Sequence, residues 1–302
     1  MIIILGATGT GKSLVAMNVA RAIDGEIINA DSRQIYKGMT IGTAKPTIED
    51  MQSVPHHLFD FRRPDENFSV FEFKTLVSNT ALDIRSRGKI PILVGGTGQY
   101  LSALLENWSL DGGPPNQKIR NHLTDRLMNL GISDLVAELS NNYPQTARTI
   151  DIHNPRRVIR ALEKIYNNGK KEGYSSNISD QPPLKMVAFG IHMPRKHLYA
   201  RVDLRTDDMV RNGWIIETQN LLDLGYDLDL PAMGGIGYKE ISAYLNGSST
   251  WESCITRIRS RTHKLIRTQN NWFNKIDHPT IWFDSHELDN FEISRQITNL
   301  IN

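Results

Sequence analysis

Four residues near the start of the chain have the types and the spacing of a phosphate loop. Gly6, Gly11, Lys12 and Ser13 fit the pattern G-x-x-x-x-G-K-[ST] within GATGTGKS. Glycines let backbone N–H groups curl around an anion. A helix N-terminus adds its positive dipole end, Lys12 a full charge, and the Ser13 hydroxyl suits a magnesium ion. The flanks agree, since IIIL before the loop reads as a buried strand and Ser13 to Ile23 after it as a helix. The loop alone leaves open whether the phosphate is attacked, transferred or expelled.

Other candidates lie further along. Asp31 closes the apolar run EIINA in ADSRQIYKGMTIGTAKP, where its carboxylate can face whatever the loop holds. Asp31 or Ser32 could equally cap a short helix. Thr97 follows a later apolar run in GGTGQY, where small residues admit a close neighbour and the hydroxyl is a placed hydrogen-bond partner. That run, ILVGGTG, lacks the acidic residue with which a nucleotide hydrolase holds magnesium, so ATP hydrolysis is disfavoured. Arg201 and Arg205 stand one helical turn apart and could reach a diphosphate, or could pair with Asp203, Asp207 and Asp208. His56 and His57 have no third ligand at metal spacing, and a loop or core role is expected of them. From Ser253 to Ile276 there is no acidic residue, while Arg257, Arg259, Arg261, Lys264, Arg267 and Lys275 fall there. This is the footprint of a nucleic-acid backbone contact or of a solvated helix face.

These residues need a scaffold. Strand patterns at Ile2 to Leu5, Glu26 to Ala30 and Lys89 to Gly96 alternate with helical ones at Ser13 to Ile23 and Val70 to Arg87. Such alternation predicts an α/β fold with a parallel sheet, whose ligands sit at the carboxyl ends of the strands. A loose DGGPP segment at Asp111 to Pro115 precedes a helix-patterned stretch from Asn116 to about Asn168, and KKEGYSSNISDQPP ends near Pro183. Residues 113–183 are therefore expected to form a helical insertion, with 1–112 and 184–302 forming the core. Beyond it, a strand is expected at Leu184 to Met193 and a short one at Thr280 to Phe283. Helices are expected at Lys196 to Leu224, Tyr238 to Leu245 and Thr250 to Lys275.

Composition sets bounds. In 302 residues, 39% are hydrophobic and 23% charged, which suits a globular protein rather than a disordered one. No apolar run reaches the roughly 18 residues of a membrane span, and the apolar start reads as a core strand rather than a signal peptide. A net charge of +2 does not by itself announce nucleic acid. The lone Cys254 permits no internal disulfide, which points to a reducing cytoplasm and to a small apolar filler on a helix.

The series GATGTGKS, DSRQIYKGMTIGTAKP, GGTGQY, NPRRVIRALE and GGIGYKE, in this order, resembles the tRNA dimethylallyltransferase (tRNA isopentenyltransferase) family. The resemblance runs from residue 1 to about 280, and the DS-x-Q-x-Y…IGTAKP string is its most specific mark. It implies a P-loop NTPase-like parallel sheet core with a helical insertion domain and a helical C-terminal region. It also implies transfer of a dimethylallyl group from dimethylallyl diphosphate to N6 of the adenosine 3′-adjacent to the anticodon of tRNA (position 37). Diphosphate is the leaving group and Mg2+ the cofactor. By matching positions, Gly6, Ala7, Thr8, Gly9, Thr10, Gly11, Lys12 and Ser13 would cradle the diphosphate, with the metal at Ser13. Arg205, and with it Arg201, would neutralise the departing charge.

In the same resemblance Asp31 would be the general base, Thr97 would sit at the reaction channel, and Ser32, Arg33 and Gln34 would meet the target nucleotide. Arg156, Arg157, Val158, Ile159 and Arg160 would touch tRNA, as would Gly234, Gly235, Ile236, Gly237, Tyr238 and Lys239. So would the stretch from Arg267 to Asn274, with Gln269 and Trp272. The chain departs from the family at Ala7, usually proline, and at Gln99, usually leucine. In RTQNNWFN, Thr268, Asn271 and Asn274 stand where Arg, Thr and Arg are general, which removes part of one expected tRNA contact. The expected partners are the anticodon stem-loop of tRNA and dimethylallyl diphosphate, for a cytoplasmic monomer. Competing readings are a small-molecule kinase, a prenyltransferase of free adenine nucleotide, and a non-catalytic RNA-binding protein.

Overall fold

The computed structural model describes residues 1–108, 116–167 and 185–301. The chain divides into two compact units, Met1–Glu106 with Pro183–Asn302, and Asn107–Pro182. The loose segments expected at 111–115 and 170–183 lie outside the described residues.

In the larger unit the elements run β1 (Ile2–Gly6), α1 (Lys12–Ile23), β2 (Gly25–Asn29), α2 (Ile48–Ser53), β3 (His56–His57), α3 (Val70–Ser86), β4 (Ile90–Gly95) and α4 (Gly98–Leu105). The smaller unit holds α5 (Gln117–Leu130), α6 (Ile132–Asn142), α7 (Pro144–Thr149) and α8 (Pro155–Asn167). The larger unit resumes with β5 (Val187–His192), α9 (Arg195–Arg211), α10 (Trp214–Asp223), α11 (Tyr238–Leu245), α12 (Trp251–Phe273), β6 (Thr280–Asp284) and α13 (Asn290–Ile301).

The six strands among the described residues are all parallel, in the order β3-β2-β4-β1-β5-β6. Both faces of the sheet are covered, which is why its strands read as near-continuous apolar runs. Successive side chains point to opposite faces. Ile3, Leu5, Ile28 and Leu93 pack under α3 and α4 with Phe73, Val77 and Leu101. Ile2, Ile4, Ile27 and Ile92 pack under α1 and α13 with Val15, Val19, Ile293 and Ile297. In register, Leu5 pairs with Gly95, and Asn29 with Val94. The carboxyl ends of β1, β2 and β4 therefore finish together, and the loops carrying Lys12, Asp31 and Thr97 leave from one edge.

Several elements differ from the sequence expectation. His56 and His57 form a two-residue edge strand rather than a loop, and His57 bonds Glu26 at 2.7 Å. GGTGQY opens a helix that periodicity does not reveal, because α4 is apolar on nearly every side. The helical stretch after Lys196 breaks at Gly213, whose φ of 101° belongs to the left-handed region. The C-terminal helix α13 is an addition to the expected elements. Cys254 is buried in α12, as a filler should be, and burial pushes its thiol up to about 11. In the smaller unit, Leu123, Leu135, Leu139, Val158 and Leu162 form a separate core.

Candidate active site

The phosphate loop is held by its own side chains before any ligand arrives. Thr10 is 1% exposed, and its hydroxyl donates to the Ala7 carbonyl at 3.0 Å. Lys12 Nζ donates to the same carbonyl at 3.3 Å. Gly9 and Gly11 take φ of 87° and 92°, which turn the chain into α1. The first-turn N–H groups of α1 have no intrahelical partner and face the loop's concavity. Within the loop, the Thr8 N–H donates to Gln269 Oε1 at 2.9 Å and the Thr10 N–H to the Ala7 carbonyl at 3.4 Å.

Asp31 is fixed by the residue that ends β2. Buried Asn29 accepts the Asp31 N–H at 2.8 Å, and its amide donates to the Asp31 carbonyl at 3.1 Å and the Leu58 carbonyl at 3.0 Å. Asp31 Oδ1 then accepts the Arg33 N–H at 2.8 Å. Asp31 thus caps a turn rather than a helix, and its other carboxylate oxygen is left for different work. The Arg33 side chain turns away and donates to the Pro231 carbonyl. Across the sheet edge, the Ser32 N–H donates to Thr97 Oγ1 at 2.9 Å. That bond leaves the Thr97 hydroxyl proton free to donate.

Two cavities meet at Asp31. One, of about 540 Å³, is lined by Gly9, Gly11, Lys12, Ser13, Arg201 and Arg205, with Met17, Ile27 and Phe59 as apolar wall. The other, of about 470 Å³, is lined by Ser32, Arg33, Thr97, Gly235, Ile236, Arg261, Gln269 and Trp272. Thr8, Asp31, Thr43, Ala44 and Arg205 wall both. Burial pulls the Lys12 ammonium down to about 8; Asp31 opposes the shift and Arg205 adds to it. Burial likewise lowers Arg205, with Asp31 opposing and Arg201 reinforcing. Burial thus disfavours the charged form of both groups, and a neighbouring anion would favour it.

The acids beside the α9 arginines are engaged elsewhere. Asp203 pairs with His263 at 2.9 Å, Asp207 with Arg259 at 2.6 Å, and Asp208 with Arg211. The reading in which Arg201 and Arg205 pair with these acids is therefore not what the structure shows. Arg201 is exposed, and Arg205 is half-buried at the junction.

Some cations of the basic stretch in α12 meet acids from other helices. Its lack of acids is local only: Arg259 pairs with Asp207, Arg261 with Glu240, and Arg267 donates to Tyr199 Oη at 2.9 Å. Arg257, Lys264 and Lys275 remain exposed. Gln269, placed with the RNA contacts by sequence, is 7% exposed and also donates to the Gly96 carbonyl at 2.9 Å. A Cβ at Gly96 would stand 2.5 Å from Gln269 Nε2, so the second glycine of GGTG makes room for this bridge. Gln34 is likewise occupied, donating to the carbonyls of Thr43 at 3.0 Å and Ala44 at 2.9 Å. Tyr238 is buried and donates to Glu217 at 2.9 Å. Val158 turns into the core of the smaller unit and offers no side chain to a ligand, whereas Arg156, Arg157 and Arg160 are exposed on α8.

Sequence reasoning missed Asn29 and Glu217. Asn29 left a trace, since asparagine is a poor strand residue and sits two positions before Asp31. Among the described residues no group of three or more His, Cys, Asp or Glu could hold a metal, and no helix is long and apolar enough to cross a membrane.

Comparison with known proteins points to one family. The family model described as IPP transferase matches residues 34–276. A tRNA dimethylallyltransferase of Dehalococcoides mccartyi is 40% identical over 301 residues, covering 100% of this chain and 92% of its own. One from Chloroflexus aurantiacus is 42% identical, over 95% of this chain and 96% of its own. The crystal structure of the full-length tRNA isopentenylpyrophosphate transferase of Bacillus halodurans superposes with a TM-score of 0.73 at 36% identity, over 99% of this chain and 94% of that one. A eukaryotic dimethylallyltransferase acting on tRNA gives a TM-score of 0.84 at 28% identity, over 98% and 77%. Matched by the family model over most of its length and by relatives over nearly all of it, with a phosphate loop and Asp31 walling one cavity, the chain belongs to the IPP transferase family.

Proposed function

We propose that this protein is a tRNA dimethylallyltransferase that moves a dimethylallyl group from dimethylallyl diphosphate to N6 of the adenosine at position 37 of tRNA, releasing diphosphate. The observation that carries this reading is the position of Asp31 in the wall common to a phosphate-loop cavity and a second, aromatic and basic one. A diphosphate in the first cavity and a base in the second would meet at that carboxylate.

The adenine amino group is a weak nucleophile, because its lone pair is delocalised into the ring. As the N6–C1 bond forms, the allylic C1–O bond breaks and diphosphate leaves with the electron pair. The N6 proton passes to Asp31, whose second oxygen is the acceptor. Lys12, Arg205 and the first-turn N–H groups of α1 receive the charge that develops on the leaving oxygens. The Thr97 hydroxyl can hold the incoming base against the carboxylate. The adenosine must leave the anticodon stack to enter, as other base-modifying enzymes require.

Magnesium suits the residues present. Ser13 is exposed in the phosphate-loop cavity, and Mg2+ commonly takes one or two protein oxygens with phosphates and waters, so no carboxylate cage is needed. When bound, the ion would offset diphosphate charge. The exposed Arg156, Arg157 and Arg160 suit contact with the anticodon stem by shape and phosphate. The residues of Gly234 to Lys239 that line the second cavity, with exposed Arg267, suit contact nearer the loop. The protein is expected to act as a cytoplasmic monomer.

The test is incubation with dimethylallyl diphosphate and either tRNA or AMP. Transfer to tRNA with one diphosphate released per group is expected, with AMP a poor acceptor and Lys12→Ala inactive. Robust ATP hydrolysis without tRNA would overturn the reading.

A further inference from the structure

Glu217 lies on α10, far in sequence from the phosphate loop, Asp31 and Thr97, and its carboxylate accepts four hydrogen bonds near the site. Oε2 accepts the N–H groups of Thr40 at 2.7 Å and Ile41 at 2.6 Å. Oε1 accepts the Gly42 N–H at 3.0 Å and the Tyr238 hydroxyl at 2.9 Å. Successive backbone N–H groups turned to one point form an anion-binding nest. Here the anion is a side chain of the same chain.

The segment so held runs directly into the wall of the active site. Thr43 and Ala44, its next two residues, wall both cavities beside Asp31 and Arg205. The segment has no regular secondary structure to position it. The carbonyls of Thr43 and Ala44 are taken by Gln34, and the amides of Thr40, Ile41 and Gly42 by Glu217. Gly42 packs closely against buried Trp214 and Tyr238, since a Cβ there would stand 2.0 Å from Trp214 Nε1 and 2.7 Å from Tyr238 Oη.

We infer that Glu217 is a positioning residue for the transfer reaction: its carboxylate fills the nest of Thr40 to Gly42 and thereby places the wall at which the two cavities meet. The inference rests on the proposed reaction at Asp31. A displacement of about 1 Å at a reacting centre can cost on the order of 100-fold in rate, so the effect belongs in the rate rather than in binding. Glutamine cannot replace the carboxylate, because one of its two ends is an NH2 group facing N–H donors.

The experiment compares Glu217→Gln and Glu217→Asp with the unmodified protein, by single-turnover dimethylallyl transfer to tRNA. Binding of tRNA, binding of inorganic diphosphate with magnesium, and circular dichroism are measured alongside. The expected result for Glu217→Gln is a transfer rate about 10- to 100-fold lower, with both dissociation constants within about threefold and a native spectrum. Aspartate keeps the charge and should recover part of the rate. If glutamine instead prevents folding, the aspartate variant carries the test, and it should be slowed with unchanged binding. An unchanged rate in Glu217→Gln would overturn the inference, as would losses of rate and binding in step with unfolding in both variants. Absence of transfer by the unmodified protein would instead fault the proposed reaction.

Discussion

Gln269 and Thr8 are joined across the active-site edge: the Thr8 N–H donates to Gln269 Oε1 at 2.9 Å, tying the phosphate loop to α12. Because Gln269 Nε2 also donates to the Gly96 carbonyl, one amide bridges the ends of β1 and β4. Gln269→Ala would orphan both backbone groups, at a cost of about 1–3 kcal/mol. Thermal unfolding should show that loss, and titration with magnesium diphosphate should show weaker binding. A drop in tRNA affinity with stability and diphosphate binding intact would instead mark Gln269 as an RNA contact.

Asp31→Asn retains an oxygen for the Arg33 N–H, so the turn should survive. It removes the proton acceptor, and single-turnover transfer should fall roughly 10²- to 10⁴-fold. Binding of tRNA and of prenyl diphosphate should each stay within about tenfold, since phosphate contacts supply most of the RNA affinity. Near-normal transfer would remove Asp31 from the chemistry and leave it a turn cap.

Arg205 walls both cavities and is half-buried, while Arg201 lines one and is exposed. A charge-assisted contact is worth more when desolvated. Arg205→Ala should therefore slow transfer by at least about tenfold more than Arg201→Ala, since a difference of about 1.4 kcal/mol is tenfold. Equal losses in parallel rate measurements would show that the partition is wrong.

The pairing of α12 with α9 and α11 changes which of its cations should matter for RNA. Replacing exposed Arg257 and Lys264 with Ala should weaken tRNA binding and lower the slope of its salt dependence, by about one unit or less per contact. Arg261→Ala should instead cost stability, because it leaves the largely buried Glu240 carboxylate without its cation. Titration of tRNA at several salt concentrations, with unfolding curves for each variant, separates the two roles. An unchanged slope in the double variant would make this helix face a solvated surface only.

Glu26 supplies a pH dependence of stability. Hydrogen bonding from Arg87 chiefly, aided by His57 and opposed by burial, holds its carboxyl down to about 2 from an ordinary 4.5. A depressed folded value stabilises above the unfolded value, so the contribution is complete above about pH 4.5 and is lost as pH falls through about 2. Arg87 is 43% exposed, which tempers the effect. Glu26→Gln should cost about 1–3 kcal/mol at neutral pH and flatten the acid limb. Denaturant unfolding between pH 2 and pH 7 reads both. An acid limb unchanged by the substitution would assign it to other carboxylates.

The phosphate loop, the parallel core and the edge from which Asp31 and Thr97 leave are legible in the amino-acid order alone. Each of these is a short-range matter: a strand, a loop of fixed spacing and a helix N-terminus are consecutive, and burial of a sheet on both faces writes itself as unbroken apolar runs. The work of the side chains at that edge is settled by folding. Glu217 reaches Thr40 across 177 positions and Gln269 reaches Thr8 across 261. A hydrogen bond depends on a separation of about 3 Å and on direction, and no spacing along the chain encodes either. The same holds for charge. The stretch from Ser253 to Ile276 looks like an uncompensated row of cations, because the acids that meet it, Asp203, Asp207 and Glu240, belong to α9 and α11. Counting charges along one helix cannot see the carboxylates that packing brings from another.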